Sequence, residues 1–256
     1  MVRLVDRFIP IPLAALGLLH AGVARLPTGS LPGTPVVRAY WDDFLERHRA
    51  SIAGRALEIG ATRTVRHYGE DRLTSAEALD LLPNPGVTYV TDLTRAWDVP
   101  GERFDVFINQ FTLHLIRDDL AALFHSVRVL RPGGTLLCNF PCFSGFRPEG
   151  QDFGTGVRLF VWRWYTPIGV RLLFERLSLS DADVELVTYG NHVGLIAYAT
   201  GIPTELLPQA WLRRSDPSRP LLVCARVTRP GDWRPGWRPA DLTSAPGDEH
   251  QRAVAE

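Results

Sequence analysis

The stretch Arg55-Ala56-Leu57-Glu58-Ile59-Gly60-Ala61-Thr62-Arg63-Thr64 decides how the chain is read. A short apolar run ends on an acid and a glycine, and the pattern then turns polar. A buried parallel strand reads this way: apolar on both faces, too short for a helix, and closed by a residue that lets the backbone turn. Further short apolar runs stand at Val87–Val90, Phe104–Asn109, Thr135–Asn139, Val184–Tyr189 and Leu221–Val227, with a poor one around Arg72-Leu73-Thr74. Helical patterns separate them. Asp118 or Asp119 can cap a helix with the apolar face Leu120, Leu123, Phe124, Val127 and Leu130, which the turn Arg131-Pro132-Gly133-Gly134 stops. Thr34-Pro35 starts a helix with Val37, Tyr40, Trp41, Phe44, Leu45 and His48 on one stripe, and Thr166-Pro167 starts another that buries Val170, Leu173, Phe174 and Leu177. This alternation predicts an α/β sheet built from βαβ units.

Composition narrows what such a sheet can serve. With 45% hydrophobic and 22% charged residues and zero formal net charge, the 256-residue chain is globular and lacks the basic footprint of nucleic-acid binding. All 28 Lys+Arg positions are arginine, which excludes a lysine Schiff base or a P-loop lysine and suggests a GC-rich bacterial genome. Cys138, Cys142 and Cys224 fit neither a zinc pair nor a disulfide framework; idle thiols in a reducing cytosol, with no metal, are the expectation. The apolar stretch Phe8–Ala24 is interrupted by Pro10, Pro12 and His20, so it reads as a helix over a pocket or the core, not as a signal peptide or membrane span. The expected organisation is an N-terminal helical segment or lid over 1–33, one domain over 34–229, and a disordered Pro/Gly-rich tail over 230–256 whose Trp233 and Trp237 could dock.

In an open α/β sheet the ligand lies beyond the carboxyl ends of the strands. That rule selects Glu58 and Gly60 after the first run, Glu77 after the weak second, Asp92 after the third, Asn109 to His114 after the fourth and Pro141 to Ser144 after the fifth.

Taken in order, Leu57-Glu58-Ile59-Gly60, Thr91-Asp92-Leu93, Phe104-Asp105-Val106, Leu113-His114 and Val129-Leu130-Arg131-Pro132-Gly133-Gly134 resemble a class I S-adenosylmethionine-dependent methyltransferase over residues 52 to 140. The flanks, Gly33-Thr34-Pro35 leading to Tyr40-Trp41 and Trp162 to Pro167, resemble small bacterial methyltransferases of sugar, polysaccharide or secondary-metabolite pathways. The resemblance implies a Rossmann-like fold with a mostly parallel seven-stranded central sheet, helices on both faces and extra N-terminal helices. It implies S-adenosylmethionine as cofactor, Glu58 ordering the first loop, Gly60 allowing close approach, and Asp92 with Leu93 at the adenine edge. Glu77 is the candidate for the ribose hydroxyls. The family's ExGxGxG loop reads Glu58-Ile59-Gly60-Ala61-Thr62-Arg63-Thr64 here, so the loop needs another conformation, in which Thr62 or Thr64 hydroxyls could serve the cofactor.

Asn109 is placed on the cofactor side, and Gln110, Arg163 and Tyr165 on the acceptor side. His114 and His192 are the imidazoles at strand ends that could act as a base. The expected function is direct methyl displacement onto a small acceptor, a sugar or secondary metabolite, by a cytoplasmic monomer or homodimer without nucleic-acid or membrane partners. The rival is a methyltransferase-fold protein that transfers no methyl group and acts as a binding or accessory module or in another reaction.

Overall fold

The computed structural model describes residues 32–145, 148–152 and 157–239. The expectations for residues 1–31 and 240–256 therefore lie outside the described residues. The strands are β1 (Gly54–Ile59), β2 (Leu73–Asp80), β3 (Tyr89–Val90), β4 (Phe104–Asn109), β5 (Leu130–Pro141), β6 (Gln151–Asp152), β7 (Arg158–Leu159), β8 (Val184–Tyr189) and β9 (Leu222–Thr228). The helices are α1 (Val36–Arg47), α2 (Arg63–Gly69), α3 (Asp119–Arg128), α4 (Pro167–Arg176), α5 (His192–Thr200) and α6 (Gln209–Leu212). Seven strands form one sheet in the order β3-β2-β1-β4-β5-β9-β8, and β6 and β7 form a separate hairpin. Strands β1 to β5 run parallel; β9 is antiparallel to both β5 and β8, so β8 runs with the parallel set.

Alternating side chains of the central strands feed two cores. Leu57, Phe107 and Leu136 pack with α3 and α4 through Leu120, Leu123, Phe124, Val170 and Phe174. Ala56, Val106, Ile108 and Leu137 pack on the opposite face with Val37, Tyr40, Trp41, Phe44 and Leu45 of α1. This two-sided burial explains why the strands read as unbroken apolar runs. The caps follow the sequence closely: Asp118 accepts from Ala121 N–H at 3.0 Å, and Thr166 accepts from Gly169 N–H at 3.1 Å ahead of Pro167. Helix α1 starts one residue later than expected, because Thr34 gives its N–H and hydroxyl to Glu205 and leaves Pro35 as the cap residue.

Several expectations change. The weak second run is a full strand through Asp80; its half-exposed place beside the two-residue β3 leaves Thr74, Ser75 and Glu77 tolerable there. The run at Val87 narrows to Tyr89–Val90. Residues 81–103 hold no α-helix, only a 3₁₀ turn at Leu93–Arg95, in a stretch broken by Pro83, Pro85, Gly86 and Pro100. Arg131 to Gly134 does not interrupt β5: Phe104 pairs with Leu130 and Val106 with Thr135, so the extra residues bulge out of the ladder, with Gly133 at φ 76°. Residues 230–239, expected as tail, include Trp233, which packs on Phe124 and donates from Nε1 to the Leu177 carbonyl at 2.8 Å. No helix among the described residues is long and apolar enough to cross a membrane.

Candidate functional site

The carboxyl ends of β1, β2, β4 and β5 lie side by side, and the loops that leave them build the site. Glu58, buried at the end of β1, takes the backbone N–H of Val65 at 2.9 Å and of Thr64 at 3.2 Å, so its carboxylate caps the first turn of α2. Gln110, the residue after β4, donates from Nε2 to Glu58 at 3.0 Å and to Thr64 Oγ1 at 2.8 Å, and accepts from Trp41 Nε1 at 2.8 Å. One connected set of bonds therefore ties α1, β1, α2 and β4. Burial pushes the Glu58 pKa up, and the hydrogen bonds from Thr64 and Val65 pull it back.

Gly60 has φ 83°, which L side chains avoid. Thr62 and Thr64 have no such need: helix begins at Arg63, Thr62 sits at φ −84°, and the two hydroxyls bond to Arg66 and Gln110. The altered glycine loop is thus a short turn running straight into α2. Beside Gly60 stands the end of β2. A Cβ on Gly60 would lie 3.8 Å from Asp80 Oδ2, and Asp80 Oδ1 accepts from Leu82 N–H at 3.2 Å. Asp80 pairs with Val90, and Asp92 follows two residues on, so both carboxylates reach the same edge. Asp92 Oδ1 takes the N–H and hydroxyl of Thr94, capping the 3₁₀ turn and leaving Oδ2 over.

The acid at the carboxyl end of β2 is Asp80, and not Glu77 as the sequence suggested. Glu77 lies three residues inside β2, held by Tyr89 Oη at 2.8 Å and Arg103 Nη2 at 2.9 Å, toward the amino end of β4 and away from the ligand edge. The signal for Asp80 was present in the sequence as an acid before Leu81-Leu82-Pro83-Asn84-Pro85-Gly86, where a strand must stop.

Beyond β4, Asn109 turns its amide to Ser126 Oγ at 3.3 Å, on the α3 side of the sheet. Phe111 adopts φ 50°, an unusual state for a bulky residue, with its N–H held by Asn139 Oδ1 at 2.7 Å. His114 is buried in the next 3₁₀ turn; burial lowers its pKa to about 4, and its Nδ1 has no hydrogen-bond partner among the described residues. It is a neutral imidazole there, and poorly matched to proton abstraction near neutral pH. Gln110, Arg163 and Tyr165, expected to meet the acceptor, spend their polar groups on the scaffold. Arg163 binds Asp119 and the Arg117 carbonyl, and Tyr165 Oη donates toward the Leu113 carbonyl at 3.1 Å and Asp119 at 2.9 Å. They brace the segment that carries His114. His192 is not brought to these groups: it is exposed at the start of α5, after edge strand β8, three strand spacings or roughly 14 Å from β4. All three cysteines are free, and Cys138 and Cys224 are fully buried.

These groups suit an adenosyl ligand: carboxylates with uncommitted oxygens at two adjacent strand ends match a diol and an exocyclic amine, beside a turn free of side-chain bulk at Gly60. Residues 55–138 match the family model described as a methyltransferase domain. A putative sarcosine dimethylglycine methyltransferase from Galdieria sulphuraria superposes with a TM-score of 0.50 at 12% identity, covering 75% of this chain and 85% of that one. The N-methyltransferase NodS of Bradyrhizobium japonicum, solved with S-adenosyl-L-homocysteine, gives a TM-score of 0.45 at 16% identity, with 84% and 97% covered. An S-adenosylmethionine-dependent methyltransferase from Mesorhizobium loti gives 0.46 at 16%, with 76% and 98% covered. No curated protein matches the chain. The sheet order is that of a Rossmann-like α/β fold with a mostly parallel central sheet, and residues 55–138 carry the likeness to a methyltransferase domain.

Proposed function

We propose that this protein moves the methyl group of S-adenosylmethionine onto a small-molecule acceptor, a sugar or secondary metabolite. The observation that carries the reading is the pairing of Gly60, at φ 83°, with Asp80 at the end of β2, next to a loop that Glu58 and Gln110 hold in place. In this reading Asp80 takes the ribose hydroxyls, Asp92 Oδ2 and Leu93 N–H meet the adenine edge, and Gly60 with the Thr62 turn lies along the rest of the cofactor. Glu58 acts from behind by fixing the turn. The bound cofactor supplies a methyl group already activated on a sulfonium, so the protein's main tasks are placement and exclusion of water. His114, kept neutral by burial, offers the acceptor a hydrogen-bonding group without a charge. Asn109 supports the end of β4 through Ser126.

The test is incubation with S-adenosylmethionine labelled on the methyl group and a panel of hydroxylated and amino-bearing sugars and small metabolites. Label transfer accompanied by stoichiometric S-adenosylhomocysteine, and lost in Asp80→Ala, is the expected result. Cofactor binding with no transfer to any class would favour an accessory role.

A further inference from the structure

The groups at the open side of β4 and β5 specify more than a neutral pocket. The guanidinium of Arg38, an exposed residue of α1, lies 4.1 Å from the centre of the Phe111 ring; among the described residues it makes no hydrogen bond or ion pair, and the Asp42 charge acts on it from one turn on. Its neighbour one turn on, Asp42, lies outside ion-pair range and is bonded to Tyr68 at 3.4 Å. Phe111 is fixed from below by Asn139 and edge-on by Trp41, at 6.4 Å, so the cation rests on a rigid platform whose left-handed backbone is strained. Tyr198, on α5, completes the ring of groups. Burial raises its pKa, while a hydrogen bond with Ser144 and the charge of Arg38 act against that rise. Phe143, after β5, packs 6.2 Å from Tyr198 and 5.3 Å from half-exposed Trp164. A cation with no hydrogen-bond or ion-pair partner among the described residues, two hydroxyls and the rings of Phe111, Phe143, Trp164 and Tyr198 thus gather one residue on from Gln110, which holds the cofactor loop.

We infer that Arg38 is the anion-binding half of the acceptor site, and that the acceptor is a small aromatic acid, its carboxylate on Arg38 and its ring among Phe143, Trp164 and Tyr198. The assignment rests on the methyl-transfer reading above and narrows its acceptor. A guanidinium flat against a ring keeps its N–H edge free for a bidentate carboxylate, and it is desolvated on one face already. A neutral sugar would leave that charge only Asp42, beyond ion-pair range, as its counterpart.

The experiment titrates the full chain with benzoate, benzamide and phenyltrimethylammonium, with and without saturating S-adenosylhomocysteine, for wild type, Arg38→Met and Arg38→Lys. Met keeps the stem that lies on Phe111 and removes the charge. Wild type is expected to bind benzoate about tenfold more tightly than benzamide, and Arg38→Met to lose that preference while keeping its affinity for S-adenosylhomocysteine; Arg38→Lys retains part of it. Equal binding of benzoate and benzamide, a preference that survives Arg38→Met, or tighter binding of phenyltrimethylammonium overturns the assignment. Failure of S-adenosylhomocysteine to bind wild type sinks the methyl-transfer reading instead, and the benzoate preference is still read without it.

Discussion

Replacing Glu58 by alanine probes the joint on which the site depends. The substitution removes the acceptor of Val65 N–H, which is buried, of Thr64 N–H, and of one of the two bonds from Gln110 Nε2. An orphaned buried N–H costs about 1–3 kcal/mol, and loss of a helix cap adds about 0.5–2 kcal/mol. Relief from burying a carboxylate, visible in its raised pKa, returns part of this. The net is a loss of about 2–4 kcal/mol, or roughly 5–15 °C in melting temperature for a domain of this size. Urea unfolding followed by far-UV circular dichroism measures it, and titration with S-adenosylhomocysteine should show affinity falling about tenfold or more as the turn loosens. A loss under about 1 kcal/mol together with unchanged affinity would refute the claim that Glu58 organises the turn.

Restoring the glycine pattern should harm the fold: Thr62→Gly with Thr64→Gly is expected to cost about 1–2 kcal/mol in urea unfolding, because both positions take negative φ and Thr64 Oγ1 receives Gln110. Stability should also fall in mild acid. The pKa values of His114 and His125 are lowered by burial from 6.5 to about 4 and about 3, so the unfolded chain binds protons first, and stability is full above pH 6.5 and drains as pH falls toward those values. Each contributes about 2 kcal/mol between pH 7.5 and 5, so His114→Asn should remove about 2 kcal/mol of that fall in urea titrations. Trp233→Ala should cost about 2–3 kcal/mol in thermal melts, since it removes a ring packed on Phe124 and under Arg229 and a bond to Leu177; no change would return residues 230–239 to the tail.

The central strands and the capped helices were legible because their signals are local and dense. β4, buried on both faces, reads as Phe104–Asn109 with the same bounds in sequence and structure, and Asp118 and Thr166 cap where short polar side chains precede a helical stripe. β2 was hard to see because a strand near the sheet edge needs no apolar run, and that error displaced the acid at its end from Asp80 to Glu77. The altered glycine loop could be noticed but not drawn: whether Thr62 and Thr64 bend the turn or enter a helix depends on Glu58 and Gln110, which lie 52 residues apart. For the same reason Gln110, Arg163 and Tyr165 looked available for an acceptor, since their partners Trp41, Asp119 and Leu113 are joined to them only by folding. Arg38 is one of 28 cationic residues in the sequence, and only the fold seats it on Phe111.

The most direct test of the cofactor site is calorimetric titration with S-adenosylhomocysteine of wild type, Asp80→Ala, Asp92→Ala and Glu77→Ala. The account predicts micromolar binding by wild type, a loss of about tenfold or more in each aspartate variant, and an affinity close to wild type for Glu77→Ala once its folding is confirmed. Unchanged binding in Asp80→Ala with loss in folded Glu77→Ala would contradict it.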